Sequence, residues 1–363
     1  MEELKLPFYI KSTIVLVGVI AFCYLMFIGR GVIIPFVFAL FIAILTNPLV
    51  NFLTRKKINR IVAIFLSVLL VLLFTAALLF FISLQISAFS ETFPHFKEKF
   101  NAVLTALVNW SSQVLHMDPA SIQRWLSETQ ATATKSISGG VAPALLSVGG
   151  SLVFVVIIPV YVFLILYYKS LLLTFVGKLF HVRHHQTVME ILQSTNIIIR
   201  SYLTGLLIEG IIVAVLNSVA LLVLGVEYAI LLGISGAILN VIPFIGGIVA
   251  VALPMLVAFV TRSPLSALLV FILYIIIQFI DNHYLIPYIV ASKVRINALA
   301  AIVVVLLGDV IWGIPGMFLS IPLTALVKVI CDHIEPLKPY GFLLGDDIPI
   351  SQKLFNFKKV KVK

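Results

Sequence analysis

From Gly233 to Pro322 the chain is about as apolar as the interior of a bilayer, yet proline and glycine break it twice. The first break is Asn240-Val241-Ile242-Pro243-Phe244-Ile245-Gly246-Gly247; the second is Gly308-Asp309-Val310-Ile311-Trp312-Gly313-Ile314-Pro315-Gly316. A further proline follows each, Pro254 and Pro322. Between them lies a polar knot, Gln278-Phe279-Ile280-Asp281-Asn282-His283-Tyr284, which ends at Pro287. Backbone groups freed from a helix inside lipid are costly unless protein or a wet cavity satisfies them. Paired interruptions around polar residues therefore point to a solute path where the helices break.

The surrounding chain supports a membrane setting. Of its 363 residues 61% are hydrophobic and 11% charged, against about 45–50% and ~25% in soluble domains. The apolar runs are long and continuous, which excludes a barrel of alternating strands. The fold class is all-α, a polytopic helical membrane protein of about eight spans. Two of those spans are broken and open to a re-entrant reading. Cys23 and Cys331 stand near opposite ends and build neither a disulfide framework nor a CxxC metal pair. The net charge of +10 fits Lys- and Arg-rich cytoplasmic loops. No basic face with interleaved aromatics suggests nucleic acid.

Taken in order, residues 1–83 form a transmembrane hairpin, spans at about 12–28 and 32–53 joined tightly at Gly29-Arg30-Gly31, and a third span at 61–82. The N-terminus lacks a small-residue cleavage site and reads as an uncleaved first helix. Asn47-Pro48 is expected to kink the second span. Residues Arg55-Lys56-Lys57-Ile58-Asn59-Arg60 place loop 54–60, and with it the N-terminus, in the cytoplasm.

Residues 84–147 carry charges among apolar positions at helical spacing. They read as an extracytoplasmic amphipathic block, with a second short helix opening at Asp118-Pro119. Residues 148–330 form the transport core, with a cytoplasmic segment over 169–200. A basic cytoplasmic tail, 331–363, rests against anionic lipid. His181 and His185 have a spacing that could share a metal on a helix. Arg183 opposes a cation there and no acidic or cysteine ligand is near, so no metal or other cofactor is assigned.

The segments 228–262 and 297–330 are each about 34 residues, too long for one ordinary span of ~20. Each is either a long kinked helix or a re-entrant hairpin. If both are hairpins, Lys293 and Arg295 fall on the cytoplasmic side and Arg262 outside.

Three carboxylates in apolar surroundings, Glu209, Asp281 and Asp309, are the candidate ion-coupling groups. An intramembrane acid costs ~2.5–3.5 kcal/mol on insertion scales and normally faces a partner or cavity. Asn240, Gln278 and Asn282 are candidate contacts along the substrate path, whose solute is a small molecule or ion. Pro243, Gly246, Gly247, Pro287, Gly308, Gly313, Pro315 and Gly316 shape the breaks. The bland alternative is that Asp281 and Asn282 cap a helix and the Gly/Pro pairs only permit close packing.

In this order the motifs Asn240 to Gly247, Gln278-x-x-Asp281-Asn282 with Pro287, Gly308, Gly313-x-x-Gly316 and Ile321-Pro322 resemble the autoinducer-2 exporter family. Asn47-Pro48 with the basic loop after it, Gly205 and Gly225-Val226 extend the likeness. It implies a bacterial inner-membrane transporter of about eight spans, with N- and C-termini cytoplasmic. It also implies a homo-oligomer, with a pentamer as the expected size. Family members are associated with export of a small quorum-sensing molecule, with sodium/proton antiport, or with no assigned substrate. Leu206 and Ile296-Asn297 depart from residues frequent in that family.

Two other classes compete. A passive channel-like oligomer would show flux indifferent to the carboxylates. An intramembrane serine protease would use Ser235, in Gly233-Ile234-Ser235-Gly236, with His283 as base. That motif is short and common where small residues pack helices. Leu306-Leu307-Gly308-Asp309 does not match the GxGD of aspartyl proteases, and the chain reads as a non-enzyme.

Overall fold

A computed structural model describes residues 7–115, 152–241, 245–290 and 296–346. Twelve α-helices run through the described residues, with no strand among them: α1 Phe8–Ile28, α2 Arg30–Arg55, α3 Arg60–Leu115, α4 Leu152–Tyr167, α5 Lys169–Leu179, α6 His185–Val223, α7 Ala229–Asn240, α8 Ile245–Thr261, α9 Pro264–Ile280, α10 Ala298–Trp312, α11 Ile314–His333 and α12 Lys338–Leu344. The expected all-α membrane fold is what the chain forms. Five helices are long and apolar enough to cross a bilayer, or six if the α4–α5 pair, bent by 67°, is one span. The count of about eight is not reached among the described residues.

The main reason lies in the two long segments. Each is a pair of helices packed against one another. Helices α7 and α8 have 12 and 17 residues, about 18 and 26 Å of rise against a hydrocarbon core of ~30 Å. They form a helical hairpin that dips into the protein. Gly246 permits it, because a Cβ there would collide with the Leu239 carbonyl. Helices α10 and α11 turn at Gly313, whose φ of 66° and ψ of −146° belong to a region open essentially to glycine alone. Pro315 then occupies the first turn of α11, where a missing N–H costs nothing.

Two other expectations change. The first two helices do not double back as a hairpin. Gly29, with φ −75° and ψ 3°, carries α1 into α2: its N–H donates to the Leu25 carbonyl at 2.8 Å, and its carbonyl accepts from the Ile33 N–H at 2.9 Å. Helix α3 passes straight through the expected end of the third span near residue 82 and continues for 56 residues in all. At 1.5 Å per residue it is roughly 84 Å long. The start of the amphipathic block is thus one helix with the span before it. The expected helix at Asp118-Pro119, Pro243, Lys293, Arg295 and the tail lysines Lys353, Lys358, Lys359, Lys361 and Lys363 lie outside the described residues.

Three apolar clusters hold the bundle. Ala39, Ala43, Ile64, Val68 and Val162 join α2, α3 and α4. Phe41, Ile199, Leu203 and Leu319 join α2, α6 and α11, with Phe38 stacked on Phe318 at 5.6 Å beside them. Leu221, Leu232, Ala258, Val270 and Tyr274 join the end of α6 to α7, α8 and α9. The last cluster closes around the first hairpin. The polar residues collect at its inner end.

Candidate functional site

Helix α6 is where the site begins. Its buried face carries Tyr202, Gly205, Glu209, Val213 and Asn217, three to four residues apart and so on one stripe. Against this stripe lie α7, which ends at Asn240, and α9, which ends at Ile280. After Ile280 the chain widens into a π-helix, Asp281–Val290, that contains Pro287. π-Turns inside helices frequently mark functional sites. Asp281 continues the buried face of α9, four residues after Ile277 and seven after Tyr274, and is 1% exposed, while Glu209 is 4% exposed.

Asn240 joins the two acids. Its Nδ2 donates to Asp281 Oδ2 at 2.9 Å and, at a longer 3.4 Å, to Glu209 Oε1. One amide thus spans a carboxylate from α6 and a carboxylate from the π-helix. Among the described residues, no lysine, arginine or histidine lines the cavity beside these two acids. Two buried acids side by side hold either a proton or a counter-ion, since an uncompensated buried charge costs several kcal/mol.

The cluster opens into a cavity of about 960 Å³, near the upper end of the ~300–1,000 Å³ usual for ligand sites. Its polar side is Tyr202, Glu209, Asn240, Gln278, Asp281 and Asn282, and the rest is mainly aliphatic. Both hairpins contribute, the first through Gly247 and Val251, the second through Ala301, Val305 and Ile321. Gly247 keeps the approach open: a Cβ there would meet Gln278 Oε1 at 3.6 Å and Asn240 Oδ1 at 3.8 Å.

Five sequence-stretch candidates therefore converge: Glu209, Asn240, Gln278, Asp281 and Asn282. Asp281 does not serve as a helix cap, because the chain continues helically through it. Asp309 stands apart, exposed near the tip of the second hairpin and lining neither cavity. Gly308 and Gly316 bring the legs of that hairpin together, each facing the other's backbone. Tyr202, Asn217 and Tyr274 are additions that sequence reasoning missed. The signal was there for two of them: Asn217 lies two turns beyond Glu209 on the same face, and Tyr274 one turn before Gln278.

The protease arrangement does not form. His283 Nδ1 bonds to the Phe279 carbonyl at 3.0 Å and its ring stacks on Phe279, with no hydrogen bond to Ser235. His181 and His185 do not share a helix face either. His181 is extended ahead of α6, and His185 Nε2 is 3.1 Å from the Phe180 carbonyl oxygen.

The family model for AI-2E family transporters matches residues 14–335. The chain belongs to that family. Among its relatives are YrrI of Bacillus subtilis (strain 168), 26% identical over 314 residues that cover 84% of this chain and 87% of the relative. YhhT of Escherichia coli (strain K12) is 25% identical over 337 residues, 89% of this chain and 91% of its own. TqsA of the same strain, named as an AI-2 transport protein, is 25% identical over 339 residues, 90% of this chain and 93% of its own. As an AI-2E family member the chain is a multi-pass membrane transporter, and both helical hairpins lie within the matched region.

Proposed function

We propose that the chain is a secondary transporter of the bacterial inner membrane, exporting a small polar solute of the autoinducer-2 kind, exchanging sodium for protons, or coupling the two. The solute occupies the cavity between the hairpins, and the Glu209–Asn240–Asp281 cluster carries the coupling ion. One observation carries the reading: two buried acids from different elements share the amide of Asn240, at the broken end of a half-helix that opens into a ligand-sized space. Rearrangement of the hairpins around this cluster exposes it to one side and then the other. Leu206 and Ile296, where the chain departs from the family resemblance, both line the cavity, so its solute need not be that of TqsA. The basic loop 54–60 supports cytoplasmic termini. The apolar exposure of α1, with Val15, Leu16 and Phe22 about 60% exposed, suits contact with lipid or further copies in a homo-oligomer.

The test is reconstitution into liposomes holding a pH dye, under sodium or proton gradients, with efflux of small polar metabolites followed in parallel. Wild type is compared with Asp281→Asn and Glu209→Gln. Flux that is driven by an ion gradient and lost in these variants supports the reading. Flux that simply follows the solute gradient and survives both substitutions makes the protein a passive pore.

A further inference from the structure

Beside Asp281 lies a second, smaller chamber of about 10 Å³, bounded by Asn217, Gly236, Asn240, Tyr274, Gln278 and Asp281; it adjoins the large cavity, which Asn240, Tyr274, Gln278 and Asp281 also line. That is about the room one water-sized particle needs. Three oxygens on its wall, Asn217 Oδ1, Tyr274 Oη and Asp281 Oδ1, are buried and find no hydrogen-bond partner on the protein. Their residues are 3%, 3% and 1% exposed. Buried polar atoms are almost always satisfied, and here three orphans from α6, α9 and the π-helix surround one small void. Gly236 makes the space: a Cβ there would stand 3.5 Å from both the Tyr274 hydroxyl and the Asn217 amide nitrogen.

The donor set is all hard oxygen: an amide carbonyl, a phenol and one carboxylate, with no cationic side chain on the wall. Among the described residues no three His, Cys, Asp or Glu side chains group together as a transition metal would ask. Mg²⁺ keeps several waters, too many for this volume. We propose that Asn217, Tyr274 and Asp281 form a binding site for one dehydrated monovalent cation of the Na⁺ class, in the small chamber that adjoins the solute cavity. It rests on the transporter reading above and gives that reading a mechanism. Asp281 offers Oδ1 to the chamber and Oδ2 to Asn240. Occupancy of the chamber therefore alters the charge that Asn240 and Glu209 meet at the solute cavity, and the two sites report to each other through a single carboxylate.

The test uses the purified full chain in detergent, with thermal unfolding followed in NaCl, KCl and choline chloride at constant ionic strength. A ligand that binds only the folded state raises Tm in a saturable way. Wild type should show such a rise with Na⁺ and none with choline. Asn217→Leu should lose it. Tyr274→Phe, which removes a single hydroxyl and keeps the fold if Asn217→Leu does not, should weaken the apparent Na⁺ affinity by about tenfold or more. Equal Tm in Na⁺ and choline, or a full Na⁺ shift in Asn217→Leu or in Tyr274→Phe, overturns the site and leaves the chamber to a water. Liposome flux separates this from the transporter reading. Equal Tm in Na⁺ and choline together with flux that is driven by protons and lost in Glu209→Gln refutes the cation site alone. A saturable Na⁺ shift without gradient-driven flux upholds the site and refutes the transporter reading.

Discussion

Gly308 and Gly316 face each other across the second hairpin, and replacing Gly308 with alanine puts that contact under load. A Cβ on Gly308 would stand 2.5 Å from the Gly316 carbonyl oxygen and 2.8 Å from its carbon. Carbon–oxygen contacts of this type settle at about 3.3–3.6 Å, so the legs must part by roughly 1 Å. Ser320 Oγ stands closer still and can rotate aside, but the Gly316 backbone cannot. Overpacking of this kind costs about 1–3 kcal/mol, and the better helix propensity of alanine returns up to about 1 kcal/mol. The expected net loss for Gly308→Ala is up to about 2 kcal/mol, read as a lower midpoint in denaturant or thermal unfolding of the detergent-solubilised protein. Ala301, Val305 and Ile321 of the same hairpin line the large cavity, so flux per folded molecule should fall as well. Gly18→Ala is the internal control, since a Cβ there meets nothing within 4 Å, and it should be neutral or slightly stabilising. If the two variants are equally stable, the close packing of the hairpin is not what the glycine is for, and the reasoning fails.

Other substitutions probe the site and its scaffold. Asn240→Leu removes both amide bonds to the acids; at about 1.5–3 kcal/mol for a hydrogen bond to a charged group, gradient-driven flux in liposomes should drop by more than tenfold. Asp309→Asn, on an exposed carboxylate that lines neither cavity, should leave the same flux within about twofold of wild type while Asp281→Asn abolishes it; the reverse order would move the coupling site to the hairpin tip. Trp312→Phe deletes the 2.9 Å bond from the indole Nε1 to the Met26 carbonyl. It should cost about 1 kcal/mol and speed proteolysis near Gly29.

Much of this was readable before any fold was known. The two Pro/Gly-rich stretches announce themselves in the sequence, and each falls at a helix pair: α7 ends at Asn240 and α8 begins at Ile245, while α10 and α11 turn at Gly313. Glu209, Asn240 and Asp281 stood out because polar groups are rare and costly in such surroundings. Which of them meet was not readable. Periodicity places a residue on a face, but it does not say which helices share that face, and so Asp309 looked equivalent to Asp281. The π-helix that begins at Asp281 was equally hidden, because nothing in the run Asp281 to Val290 marks a change of helix type. Tyr274 was masked by an apolar run in which a tyrosine reads as core. The helical continuity across Gly29 and through residue 82 was missed for one reason. Glycine and scattered charges are permissive signals that allow a chain to turn without requiring it.

The length of α3 has a mechanical consequence. Its apolar part, Arg60–Phe81, is 22 residues, and the helix then runs on to Leu115, so its far end stands roughly 50 Å past the span. A rigid rod of that reach works as a pointer. Rocking its base by about 10°, well inside the range of tilts that membrane helices adopt, sweeps Leu115 sideways by roughly 9 Å. Helix α3 also touches the first hairpin, at α7 and α8. Movement of that hairpin during a transport cycle would thus be magnified at the rod's tip, where a fluorophore or spin label could follow single turnovers that are too small to resolve at the site itself.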